Sequence, residues 1–196
     1  MSQKKLFTIS FTFLFTALII TMIGCSKSEK GPMTKEEMQV RGAYLVTLMG
    51  CNHCHSPKLM TEMGPVPDTT RLLSGHPADS KLSMIDTAMV QPGKWILTTD
   101  DLTAWVGPWG ISYPANLTPD GPTGIGTWTD EVFIKALRTG KHMGVGRMIL
   151  PPMPWVDIAK ATDEDLKAIF AYLQSLPPIR NQIPDPVPPN QLAMMK

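Results

Sequence analysis

Cysteine is scarce, three in 196 residues, which is too few and too odd a number for the disulfide framework that stabilises small secreted domains. A surplus of one charge is missing too. Eighteen basic side chains stand against 17 acidic ones, so no cationic face is available to neutralise phosphates, and nucleic acid is not an expected partner. No motif recurs along the chain, which excludes a tandem array. Neither a Ser/His/Asp constellation nor a phosphate-cradling glycine loop is present. Irregular chain, by contrast, is plentiful: 19 Pro and 15 Gly beside an ordinary apolar share of 43% imply few regular elements joined by long connections.

The N-terminus reads as an export signal. Lys4 and Lys5 precede a mostly apolar run from Leu6 to Ile23, and Gly24-Cys25 follows. A run of that length could also remain as a permanent membrane anchor. Met22-Ile23-Gly24-Cys25 resembles the lipobox of bacterial lipoproteins, with Met22 where Leu is usual. The resemblance implies cleavage before Cys25 and attachment of lipid to its thiol. The expected organisation is a signal peptide over 1–24, a lipidated tether over 25–33, a folded domain over 34–178 and an extended Pro-rich tail over 179–196. Removing residues 1–24 leaves 16 basic and 17 acidic side chains, a mildly acidic mature surface.

Three helices are legible within the domain. Thr34 followed by Glu37 fits a capping box, with Met38, Arg41, Tyr44, Leu45 and Leu48 along one stripe up to about Gly50. Thr129 caps a second helix through Leu137, with Trp128 packing on Phe133 as a staple and Gly140 as terminator. Thr162 and Asp165 open a third, in which Leu166, Ile169, Phe170 and Leu173 repeat at helical spacing until Pro177. Between the first two lie about sixty residues without strong periodicity, a length expected of a loop that wraps something.

If Cys25 carries lipid, Cys51 and Cys54 need a use of their own. Cys51-Asn52-His53-Cys54-His55 contains C-x-x-C-H, the attachment signature of c-type haem. Two thiols at that spacing at a helix end can reach both vinyl groups of one porphyrin edge. The next residue, His55, is then carried under the iron. A redox dithiol and half of a zinc site are the competing readings. The first prefers a preceding strand and a following helix, and the second normally needs four protein ligands, with only His53, His55, His76 and His142 as nitrogen donors. His53 is read as a surface residue and His76 as a loop residue.

A sixth ligand closes the iron to small molecules, and Met raises the reduction potential relative to a second His. Fourteen Met residues make the residue type uninformative. Context favours Met153, held in Leu150-Pro151-Pro152-Met153-Pro154-Trp155, where proline stiffens a non-helical arch. Met148 and then Met143 are the alternatives. A carbonyl for the other nitrogen of His55 is expected after the motif, with Pro65 as a candidate. Trp109, Trp155 and Arg147 are candidates for the haem propionates.

These motifs together resemble a class I c-type cytochrome, similar to the single-haem relatives of cytochrome subunits in periplasmic dehydrogenases. The resemblance runs from about Thr34 to Pro178. It rests on Cys51 to His55, on Asn116-Leu117-Thr118-Pro119-Asp120 with Thr123-Gly124-Ile125-Gly126, and on Pro151 to Trp155. It implies a mainly α cytochrome c fold: three or more short helices around one covalent haem c, long Pro/Gly-rich loops, and first and last helices crossed beside the haem. It also implies thioethers at Cys51 and Cys54, with His55 and Met153 as axial ligands. The expected function is electron transfer rather than catalysis, with redox partner proteins in a bacterial envelope, a lipid anchor and a periplasmic setting. A haem enzyme or gas sensor with a displaceable Met is the alternative. The stretch from Ser56 to Ala115 is longer than a minimal member of that family, and the resemblance assigns it no structure.

Overall fold

In the computed structural model residues 31–194 are described, and the chain from Thr34 onward forms one compact unit. The export segment and Cys25 lie outside the described residues. Helices α1 (Lys35–Leu48), α2 (Cys51–His55), α3 (Asp130–Thr139), α4 (Trp155–Ile158) and α5 (Asp163–Leu173) frame the unit. Five short strands lie between α2 and α3: β1 (Lys58–Thr61), β2 (Gly64–Pro67), β3 (Leu97–Thr98), β4 (Trp105–Gly107) and β5 (Gly110–Ser112). The fold of the described residues is therefore mostly helical with a small β component.

The helix starts follow their side-chain chemistry. Thr34 and Glu37 bond reciprocally, the Thr34 N–H to Glu37 Oε2 at 2.8 Å and the Glu37 N–H to Thr34 Oγ1 at 3.2 Å. Thr129 Oγ1 accepts from the Val132 N–H and Thr162 Oγ1 from the Asp165 N–H. Gly140, left-handed at φ 65°, ends α3.

Helices α1 and α5 form the principal helix pair. Their approach is set by Gly42. A β-carbon there would lie 2.0 Å from the Ala168 carbonyl oxygen and 2.7 Å from Tyr172 Cβ, so hydrogen alone fits. This contact turns Gly42, Leu45 and Val46 inward, an i, i+3, i+4 set. Tyr44 and Leu48, expected on the core stripe, are instead 62% and 65% exposed. The stripe is displaced because the crossing is centred on a residue with no side chain.

One apolar cluster joins Leu45 and Val46 of α1, Phe133 and Leu137 of α3, and Leu166, Ile169 and Leu173 of α5 with Leu73 and Ile125. Phe133 and Phe170 stack at 5.3 Å between centroids, and Trp128 packs against this cluster as the staple requires. Burial of each large side chain is worth roughly 1.5–3 kcal/mol.

The region between α2 and α3 is folded. β1 and β2 form an antiparallel hairpin, Lys58 opposite Pro67, and β3, β4 and β5 form an antiparallel sheet in that order. The C-terminal tail adds to its edge: the Ile111 N–H donates to the Val187 carbonyl at 2.8 Å and the Val187 N–H returns to the Ile111 carbonyl at 3.0 Å. A second small core of Val90, Val106, Ile111 and Leu192 lies here.

Polar side chains fasten the tail further. Asn116, almost fully buried, accepts from the Thr118 N–H and hydroxyl and donates to Thr123 Oγ1 and the Ile179 carbonyl. Asn181 donates to the Ser74 and His76 carbonyls, and its side-chain oxygen accepts from the Ala78 N–H.

Candidate functional site

Helix α2 is a single turn made of the C-x-x-C-H residues themselves. Gly50, at φ 68°, breaks α1 from α2 and turns the chain so that Cys51 opens the new turn. Cys51 and Cys54 are both free thiols and partly buried. Burial pushes both above the ordinary thiol range; for Cys54 the nearby Lys58 opposes the shift. Reactive dithiols have the reverse property, a depressed thiol at a helix start. Among the described residues, no three His, Cys, Asp or Glu side chains gather as an ion-holding group. His53 is exposed, its ring nitrogen beside the Gly50 carbonyl.

His55 is buried, 8% exposed, and its Nδ1 lies 2.8 Å from the Ala115 carbonyl oxygen. A carbonyl only accepts, so Nδ1 carries the proton and Nε2 keeps its lone pair. Burial lowers the imidazole from its usual value, against the opposing effect of that hydrogen bond, which favours the neutral, donating ring. The carbonyl is not that of Pro65, which lies within β2. The β1–β2 hairpin turns away after α2, and the acceptor comes instead from the chain after β5, sixty residues downstream of His55. Gly75 fits against this same segment at φ 83°: its N–H donates to the His55 carbonyl at 2.7 Å, and a β-carbon would meet the Pro114 and Ala115 oxygens within 2.8 Å.

Lys58 holds the turn from its other end. Its ammonium donates to the carbonyls of Asn52 at 3.2 Å and His53 at 2.9 Å and to that of Ser56, satisfying acceptors the short helix leaves open. Burial depresses the ammonium, while Asp101 and Cys54 hold it up. Ser56, fully buried, donates to Asn52 Oδ1 and accepts from the Leu73 N–H, each at 2.8 Å.

Met153 is partly buried and packs on the same apolar cluster as Cys51. Met143 and Met148 are 45% and 48% exposed and belong to no apolar cluster. The arch before Met153 is held by Ser112, whose hydroxyl donates to the Pro151 carbonyl at 2.5 Å. Trp109 Nε1 donates to that same hydroxyl at 3.2 Å. Trp155 covers Gly140, where a β-carbon would lie 2.5 Å from its ring, and Arg147 donates to the Met148 carbonyl.

His76 lies in irregular chain, as expected of a loop residue, and is buried there at 1% exposed. The Thr103 hydroxyl spends its one hydrogen on Asp101 Oδ2 at 2.6 Å, so His76 Nδ1 donates to Thr103 Oγ1 at 2.9 Å. Its ring packs on Tyr113 at 4.7 Å.

Paired free thiols, a neutral imidazole with one nitrogen tied to a carbonyl, and a thioether on the same apolar cluster fit a covalently held haem. The chain is similar to cytochrome c subunits of dehydrogenases. It is 31% identical over 118 residues to the cytochrome c subunit of the quinone alcohol dehydrogenase of Gluconobacter oxydans, covering 51% of this chain and 24% of the relative. It is 43% identical over 65 residues to the gluconate 2-dehydrogenase cytochrome c subunit of Pantoea cypripedii, 33% of this chain and 14% of that protein. With the fructose dehydrogenase cytochrome subunit of Gluconobacter japonicus it shares 38% identity over 85 residues, 40% of this chain and 17% of the relative. The chain thus spans less than a quarter of each of these relatives. No family model matches it. No helix among the described residues is long and apolar enough to cross a membrane.

The Ala115 carbonyl, Lys58 and Ser112 escaped the sequence reading. A backbone acceptor has no residue signature, and a lone Lys or Ser has no spacing to betray it. Pro114, which fixes the chain just before Ala115, was the available signal.

Proposed function

We propose that this chain is a single-haem c-type cytochrome that carries electrons between redox partner proteins in a bacterial envelope. In this reading Cys51 and Cys54 would hold the porphyrin as thioethers, and Nε2 of His55 and the Met153 sulfur would ligate its iron. When bound, the haem supplies a one-electron couple between ferric and ferrous iron. The observation that carries the reading is the His55–Ala115 hydrogen bond beside two free, partly buried thiols. It fixes the ring and leaves one lone pair pointing away from the carbonyl.

The remaining residues keep that centre closed and still. Burial on the cluster shared by Cys51 and Met153 excludes water, and the proline arch limits movement of the sulfur. A carrier needs little more, and no acid/base pair is required. The relatives named above are subunits of dehydrogenases, so a dehydrogenase is the proposed class of partner. Export by residues 1–24 and a lipid on Cys25 complete the proposal.

Absorption spectra of the purified protein, oxidised and reduced, together with its intact mass, test the reading. One porphyrin increment and the charge-transfer band of thioether-bound ferric iron are expected. Met153→Ala keeps the porphyrin but abolishes that band. A colourless protein matured beside a working haem-attachment system refutes the proposal, and rapid stoichiometric carbon monoxide binding refutes the closed iron. Cys25→Ser is expected to release the protein from membranes with its colour intact.

A further inference from the structure

A proline-rich arch has few ways to hold itself. Pro151, Pro152 and Pro154 have no N–H to donate, and the one bond closing the arch from within runs from the Met153 N–H to the Leu150 carbonyl at 3.3 Å. From outside, the arch is gripped at the Pro151 carbonyl by Ser112, which is 7% exposed. That hydroxyl is itself aimed, because its oxygen accepts from Trp109 Nε1 while its single hydrogen goes to Pro151. Both residues come from the β4–β5 hairpin and its continuation. Three residues after Ser112, the chain running on from β5 presents the Ala115 carbonyl to His55.

We infer that Ser112 is a positioning residue for the Met153 thioether, and that residues 112–115 act as one strap gripping both axial ligands. The inference rests on the haem reading above. Without the hydroxyl, the Pro151 carbonyl loses its buried donor and the arch moves more freely. The sulfur then leaves the iron more often, and an external nitrogen base competes for the vacated position more successfully. One partly buried hydrogen bond of this kind corresponds to about a fivefold change in that competition.

The experiment titrates the purified ferric holoprotein with imidazole and follows loss of the charge-transfer band. Ser112→Ala is expected to keep its porphyrin and its band without imidazole, yet to bind imidazole about fivefold more tightly than the parent. Trp109→Phe, which removes only the bond that aims the hydroxyl, shifts affinity the same way by less. Thr34→Ala weakens the fold at the exposed capping box that starts α1 and leaves imidazole affinity unchanged, which separates positioning from general loosening. Parental affinity in Ser112→Ala overturns the inference, and if that variant does not fold, parental affinity in Trp109→Phe does so. A parent protein lacking porphyrin or the charge-transfer band removes the haem or Met153 assignment itself, a different failure.

Discussion

Replacing Gly42 with Ala tests the helix crossing on which the domain is built. The added methyl would sit 2.0 Å from the Ala168 carbonyl oxygen and 2.7 Å from its carbon, against 3.4 Å for ordinary contact. Backbone atoms cannot swing aside, so α1 and α5 must part by more than 1 Å or tilt. Overpacking of this kind costs about 1–3 kcal/mol, and the unyielding neighbour places the change at the upper end. Alanine recovers about 1 kcal/mol in a helix interior, leaving a net loss of about 2 kcal/mol. For a domain of this size that lowers the unfolding midpoint by about 4–8 °C. Calorimetry of the purified protein measures it. Gly121→Ala, whose nearest atom would be Thr127 Cγ2 at 3.9 Å, is expected to stay within about 0.5 kcal/mol of the parent. Ala168→Gly should not rescue Gly42→Ala, since the clash is with main-chain atoms. A Gly42→Ala protein that melts at or above the parent temperature refutes the reasoning.

Asn116→Ala strips four hydrogen bonds from a buried position, with an expected loss of about 1–3 kcal/mol and faster proteolysis after Ile179. Asp68, held down to about 2 by hydrogen bonds from Thr70 and Arg71, contributes stability that is complete above its unfolded value near 4 and lost as pH falls toward 2; acid titration of Asp68→Asn should show a flatter decline over that window. Lys58→Met removes a cation from beside Cys54 and from three carbonyls. On the proposed haem reading, potentiometry at low salt is expected to give a lower reduction potential, because the cation would favour the reduced iron, while Lys58→Arg stays near the parent; an unchanged potential in Lys58→Met counts against that electrostatic role.

What could be read from the chain beforehand was whatever carries a side-chain code. Thr34, Thr129 and Thr162 announce helix starts because a hydroxyl caps an orphan N–H, and the five-residue haem signature needs no tertiary context. The crossing at Gly42 was hidden, since a missing side chain leaves no mark in a hydrophobic stripe. The stripe drawn through Tyr44 and Leu48 followed bulk, whereas proximity decided the buried face. Strands of two to four residues are shorter than the span over which alternation becomes visible, so the region from 56 to 115 read as loop. The partner of His55 was sought nearby in sequence, but the fold supplies it from beyond the inserted sheet.

The pairing of Val187 with Ile111 has a practical corollary for anyone trimming this chain. A version stopped at Pro178 would keep helices α1 to α5 and the candidate ligands Cys51, Cys54, His55 and Met153, yet it would strip the neighbour from the strand that runs on into Ser112 and Ala115. On the proposed haem reading, such a shortened protein is expected to take up colour but to hold the iron loosely on both sides. In that reading the final stretch of sequence acts as a buttress, bracing the strand that leads to the partners of both candidate ligands.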